Sequence, residues 1–128
     1  MIARYRFRLR VRLEPVADDV RLEPNTFETT CALAAPEPGT EGWRIFRELL
    51  WRGEVADQAY ARRLFAEKLG VPVDRVEFAA LDTDEAYLEA LEAAIDADLE
   101  SFKADDVTEV RSKYFGSSLM VDGENRAD

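Results

Sequence analysis

The sequence predicts an α+β domain: a largely antiparallel sheet of four to five strands with helices packed on one of its faces. Three observations lead there. Residues 4–13 alternate without error, with Tyr5, Phe7, Leu9, Val11 and Leu13 at odd positions and Arg4, Arg6, Arg8, Arg10 and Arg12 at even ones. A period of two over ten residues puts one apolar and one guanidinium face on a β-strand. Later segments switch to helical spacing, and the apolar residues of residues 57–69 and 85–102 each fall on one stripe. A strand apolar on one side and cationic on the other calls for a largely antiparallel sheet whose apolar face the helices cover, with the arginine face open, self-paired or covered by acidic side chains.

Taken in order, the first strand begins near Ile2 and stops at Pro15, which has no N–H for a ladder. Val11-Arg-Leu-Glu-Pro15 is echoed by Val20-Arg-Leu-Glu-Pro24 across Asp18-Asp19, so a second short extended piece is expected at 20–24. Phe27, Thr29, Cys31 and Leu33 then alternate with Glu28, Thr30, Ala32 and Ala34 as a further strand whose inward face holds a buried structural thiol, Cys31. A loop rich in Pro and Gly follows at 36–42. The segment 43–53 fits either a helical stripe (Trp43, Phe46, Leu49, Leu50) or the return arm of a hairpin; a short strand at 43–46 running into a helical turn at 47–51 is expected.

Asp57 caps a helix with Tyr60, Ala61, Leu64, Phe65 and Leu69 on its apolar face, ended by Gly70 and Pro72. Residues 73–81 read as a strand with Val76, Phe78 and Ala80 on one side. Asp82-Thr-Asp-Glu85 opens a long helix through Phe102 on Tyr87, Leu88, Leu91, Ile95, Leu99 and Phe102. A helix over about 106–115, closed by Gly116, and a last strand at 117–121 complete a single domain, 1–121, with a flexible acidic tail at 122–128.

At 128 residues the chain can bury one core without disulfides or metals. Its single cysteine excludes an internal disulfide, and the absence of histidine excludes ordinary zinc patterns and Ser-His-Asp or Cys-His catalysis. Neither GxGxxG nor GxxxxGK[ST] occurs, so no cofactor is expected. No apolar run is long enough to cross a bilayer, and alternating arginines stand where a signal peptide has a continuous apolar segment; a cytoplasmic protein without a membrane partner is expected.

The charge is −10, from 27 acidic and 17 basic residues, and only Lys68, Lys103 and Lys113 are lysines. Residues 1–13 hold five arginines and no carboxylate, so the remaining 115 residues carry −15. A lysine-poor, carboxylate-rich surface suits a halophilic cytosol, where salt screens self-repulsion; an ordinary acidic protein from a GC-rich genome is the bland alternative.

Three places invite a functional reading. The first is the arginine comb, whose side chains recur about every 6.6 Å along the strand, close to a phosphate repeat. With Trp43, Trp51 and Tyr5 as stacking surfaces it would suit RNA, nucleotides or another anionic ligand. Equally, the arginines can lie over carboxylates of the same chain or a second subunit. Salt separates the two, because five phosphate contacts would lose on the order of 10⁵ in affinity between ~0.2 M and ~3 M salt. The second is Trp51-Arg52-Gly53-Glu54 with Arg47 and Glu48, either a cation–π shelf or a core anchor with arginine stems packed along it. The third is the carboxylate set Asp82, Asp84, Glu85 and Glu89, which in so acidic a chain arises readily without function. The composite expectation is a non-catalytic binding or self-association module, with a homo-oligomer or protein partner ahead of nucleic acid.

Leu50-Trp51-Arg52, within residues 41–54, together with Arg21-Leu-Glu-Pro24, Phe27-Glu-Thr-Thr30 and Ser112-Lys-Tyr-Phe-Gly-Ser-Ser118, resembles the LWR-salt proteins of halophilic archaea. Length, order of blocks and acidity match over nearly the whole chain. The resemblance implies a halophilic archaeal cytosolic protein. It carries over no catalytic residue, only the Leu50-Trp51-Arg52 block that marks the family.

Overall fold

In the computed structural model, which describes residues 1–121, a four-stranded sheet runs in the order β2-β1-β5-β6. The tail expected at 122–128 lies outside the described residues. Strand β1 (Ala3–Arg12) pairs antiparallel with β2 (Thr26–Ala34) on one side and β5 (Val73–Thr83) on the other, and β6 (Leu119–Val121) joins β5 in parallel. A two-residue hairpin, β3 (Leu50–Trp51) and β4 (Glu54–Val55), stands apart. Helices α1 (Ile45–Leu49), α2 (Gln58–Leu69), α3 (Glu85–Asp96), α4 (Leu99–Phe102) and α5 (Val107–Tyr114) complete the described chain. The expected α+β class, with a largely antiparallel sheet, is what the chain adopts.

The alternation in β1 holds over Tyr5, Phe7 and Leu9, which are buried while the arginines face away from the core; Val11 is only half-buried, and Leu13, expected on the same apolar face, lies past the end of the strand and is 39% exposed. Phe7 meets Phe65 of α2 edge-on at 4.9 Å and Phe78 of β5 at 5.4 Å, so the central strand anchors the core from both sides. A second aromatic group joins α1, α4 and α5. Phe46 stacks on Phe102 (5.7 Å, 9°) and touches Tyr114 and Phe115, with Trp43 at its margin. Both groups belong to one continuous core.

Several local expectations are corrected. Residues 20–24 form no strand; the last rung of the β1–β2 ladder is Leu13 to Asn25, and beyond it Val20 and Leu22 have no sheet to cover them. The order in 43–51 is reversed, with helix α1 first and strand β3 after it, because burying Phe46 and Leu49 together requires helical spacing. Phe27 is 45% exposed and Cys31 only half-buried, since β2 is an edge strand that the helices incompletely cover. Leu69 is likewise exposed at the end of α2.

In β5 the inward residues are Val73, Val76, Phe78, Leu81 and Thr83. Ala80 does not carry the alternation on from Phe78, because register shifts opposite Arg6/Phe7 and Arg10/Val11 insert extra residues and re-phase the strand. The long helix breaks after Asp96, and Lys103 ends α4 in a left-handed conformation (φ 52°). Its cap is Asp84, whose carboxylate accepts the Tyr87 N–H at 2.7 Å, and not Asp82, which belongs to β5. The ends of α2 match the sequence reading: Asp57 accepts from Tyr60 N–H at 3.1 Å, and Gly70 takes the left-handed C-terminal position.

Candidate functional site: the arginine face and the tryptophan hairpin

The two bulges in β5 have a consequence for the opposite face of the sheet. They bring Asp82 and Glu77 alongside the arginines of β1, while β2 supplies Glu28 from the other flank. Arg6 forms a forked pair with Asp82, Nε to Oδ2 at 2.9 Å and Nη2 to Oδ1 at 3.3 Å. That bond holds the Arg6 pKa above its ordinary value. Arg8 lies 3.6 Å from Glu77, which also accepts from Arg75 at 3.0 Å, and Arg10 lies 3.9 Å from Glu28. Arg12 reaches Glu14 at 3.6 Å and Asp74 at 3.7 Å, although its Nε is buried without a partner among the described residues. Arg4 makes no ion pair there.

The five arginines therefore share one face, and four of them sit over carboxylates of the same chain. These side chains are about half exposed, so each pair contributes roughly 0–1 kcal/mol. What the grid specifies is register: a one-residue slip of β1 would carry its arginines into the core and its aromatic rings into water.

Trp43, Arg47, Trp51 and Arg52 do not join this face as a stacking wall. Trp43 is 7% exposed and packs 6.1 Å from Phe102, with the Arg44 guanidinium 5.3 Å above its ring and Arg44 paired to Asp98. Arg47 donates to the Ser101 carbonyl at 3.2 Å and lies 5.5 Å from the Phe102 ring, so it closes the end of α4. Trp51 is the accessible indole, 46% exposed, edge-on to Tyr114 at 6.1 Å and covered on one side by Arg52 at 5.7 Å. Shallow depressions of about 440 and 380 Å³ flank it, the first toward Arg47 and Tyr114, the second toward Ser112 and Lys113.

The turn after Trp51 explains why these residues stand where they do. Arg52 (φ 53°) and Gly53 (φ 83°) are both left-handed, as a two-residue hairpin requires. Their N–H groups donate to the carbonyls of Lys113 (2.7 Å) and Tyr114 (2.9 Å) at the C-terminus of α5. A helix end leaves its last carbonyls without internal partners, and here the hairpin turn supplies two. The approach is close: a Cβ on Gly53 would lie 2.9 Å from the Phe115 carbonyl oxygen, and one on Gly116 would lie 3.0 Å from that of Arg52. Two blocks far apart in sequence, 50–53 and 112–118, thus interlock through their backbones as well as through the Trp51–Tyr114 contact. Sequence reading had singled out both blocks and not their contact; paired glycines at 53 and 116 were the only local trace of it.

Of the carboxylate set, Asp82 is taken by Arg6 and Asp84 by the α3 N-terminus, whose Tyr87 N–H holds Asp84 below its ordinary pKa. Among the described residues no three metal-ligating side chains are grouped to hold an ion. No helix there is long and apolar enough to cross a membrane. Burial pushes the Cys31 thiol up, opposed by Lys68, which disfavours the thiolate a nucleophile needs.

The family model described as LWR-salt protein matches residues 1–125. Comparison with curated proteins and with solved structures returns no match.

Proposed function

The chain belongs to the LWR-salt protein family, and we propose that it is a non-catalytic module of a halophilic archaeal cytosol that works by self-association through its sheet. The observation that carries this reading is the occupied arginine face. A phosphate-tracking groove needs free guanidiniums, whereas Arg6, Arg8, Arg10 and Arg12 already lie over Asp82, Glu77, Glu28 and Asp74. Of the two tryptophans that would have flanked such a groove, Trp43 is a core residue. An ionic grid that occupies four of the five arginines favours scaffolding over nucleic-acid binding, and so does salt, which weakens phosphate contacts steeply.

The habitat is supported by composition. With −10 net charge and three lysines, two copies repel in dilute buffer and approach freely once molar salt shortens the Debye length to ~3 Å. Sedimentation velocity in ~0.2 M and ~3 M KCl tests the reading: association that strengthens with salt is expected, and a strict monomer at both overturns it. Filter binding of RNA at molar salt, wild type against Arg6→Ala/Arg8→Ala/Arg10→Ala, is expected to show no difference.

A further inference from the structure

Where two copies would meet is written into the backbone of β2. We propose that β2 pairs antiparallel with β2 of a second copy about a two-fold axis at Thr30, joining two four-stranded sheets into one of eight. This rests on the self-association reading and names its surface.

The hydrogen bonds Leu13 N–H to Asn25 O (2.7 Å) and Ala35 N–H to Ala3 O (3.0 Å) point the odd-numbered residues of this strand at β1. Antiparallel pairing alternates, so the N–H and C=O groups of Thr26, Glu28, Thr30, Ala32 and Ala34 point away from β1. Among the described residues nothing hydrogen-bonds to them. The opposite edge of the sheet is treated differently. Strand β6 covers Leu81, Asp82 and Thr83, and lower down the Gln58 side-chain amide satisfies both backbone groups of Val76. That edge is partly covered, while the other carries little of the usual protection: β2 has no lysine, proline or bulge in nine residues and a single charge, Glu28.

A second copy fits this edge better than an unlike partner because the strand is self-complementary. With the axis at Thr30, Thr30 faces Thr30, Glu28 faces Ala32 and Thr26 faces Ala34 on the arginine side. On the apolar side Phe27 faces Leu33 and Thr29 faces Cys31, which covers the exposed Phe27 ring. Each copy thereby offers the other what it takes, as an isologous contact demands. Charge agrees. Glu28 is the only ionised side chain on β2 in a chain of net charge −10, so pairing along this edge brings few like charges together. Arg6 is the β1-side neighbour of Ala32, so Glu28 of one copy faces Arg6 of the other across a single methyl group.

Sedimentation equilibrium in ~3 M KCl on wild type, Thr30→Pro and Thr30→Lys tests the proposal. The Thr30 N–H points away from β1, so proline there removes a donor from the free edge and none from the fold. Lysine leaves the backbone alone and sets two like charges face to face at the axis. Proline is expected to weaken dimerisation on the order of 100-fold, from the loss of the two central hydrogen bonds, and lysine by less, because molar salt screens the like-charge contact, with unchanged circular dichroism in both. Amide exchange at Thr26, Glu28, Thr30, Ala32 and Ala34 is expected to slow in the wild-type dimer. A dimer that both variants leave intact overturns β2 as the surface while self-association stands. A wild type that stays monomeric overturns both.

Discussion

Replacing Gly53 by alanine is the sharpest test of the lock between the hairpin and α5. At φ 83° an L-residue carries strain of about 1–2 kcal/mol. The added Cβ would also stand 2.9 Å from the Phe115 carbonyl oxygen and 3.3 Å from Ser118 Oγ. The carbonyl is backbone and cannot rotate away, so the hairpin must lift from α5. The bonds from Arg52 and Gly53 to Lys113 and Tyr114 then lengthen, at about 1 kcal/mol each. Together these give a loss of about 3–4 kcal/mol. With an unfolding entropy of roughly 2.1 cal/mol/K per residue, that lowers Tm by about 11–15 °C for a chain of this length. Gly39 supplies the internal control, since it has φ 87° and nothing within 4 Å of its would-be Cβ. Gly39→Ala then bears the strain alone, about 1–2 kcal/mol. Thermal and urea unfolding of both variants, followed by circular dichroism in molar KCl, measures the difference. Equal destabilisation of the two variants would refute the close approach as the reason for glycine at 53.

Alkaline pH and a double-mutant cycle test two other parts of the structure. Burial pushes the Tyr87 hydroxyl, which donates to the Pro36 carbonyl at 2.8 Å, up to about 12, and raises Tyr5, whose hydroxyl is buried without a partner among the described residues. Both groups favour the protonated, folded form, so their contribution is complete below the ordinary tyrosine value near 10 and is lost as pH climbs through 12. Absorbance titration of wild type, Tyr5→Phe and Tyr87→Phe, read beside circular dichroism, is expected to show Tyr5 and Tyr87 ionising only well above the ordinary value; their ionisation near pH 10 with the sheet intact would contradict the burial. For Arg6–Asp82, whose side chains are 42% and 43% exposed, a cycle of Arg6→Ala and Asp82→Asn is expected to give a coupling of no more than about 1 kcal/mol, smaller still in molar salt. A coupling well above 2 kcal/mol would mean that the grid carries stability and not only register.

How much was legible depended on whether a feature is encoded locally. The alternation of residues 4–13 and the ends of α2 were readable because side-chain period and cap chemistry act within a few residues. Segment 43–51 was not: its apolar spacing satisfies a strand and a helix alike, and only the position of Phe102, Tyr114 and Phe115 makes the helix the better burial for Phe46. The break after Asp96 was hidden for a similar reason, since the apolar stripe continues across it to Phe102. It coincides with Asp98 turning to Arg44 and Ser101. For the candidate site, the sequence placed the five arginines on one face and identified the 50–53 block, while their partners were invisible.

The amino-acid order alone therefore determined the class of fold, the orientation of the central strand and the sign of its outer face, because each follows from side-chain period and composition. Tertiary structure decided which carboxylates neutralise that face, that the 50–53 turn caps α5, that Trp43 is interior and Trp51 exterior, and that one sheet edge is partly covered and the other open. Those outcomes join residues as far apart as Arg6 and Asp82, or Gly53 and Phe115, and such pairings are selected by packing the whole core at once rather than by any stretch of chain.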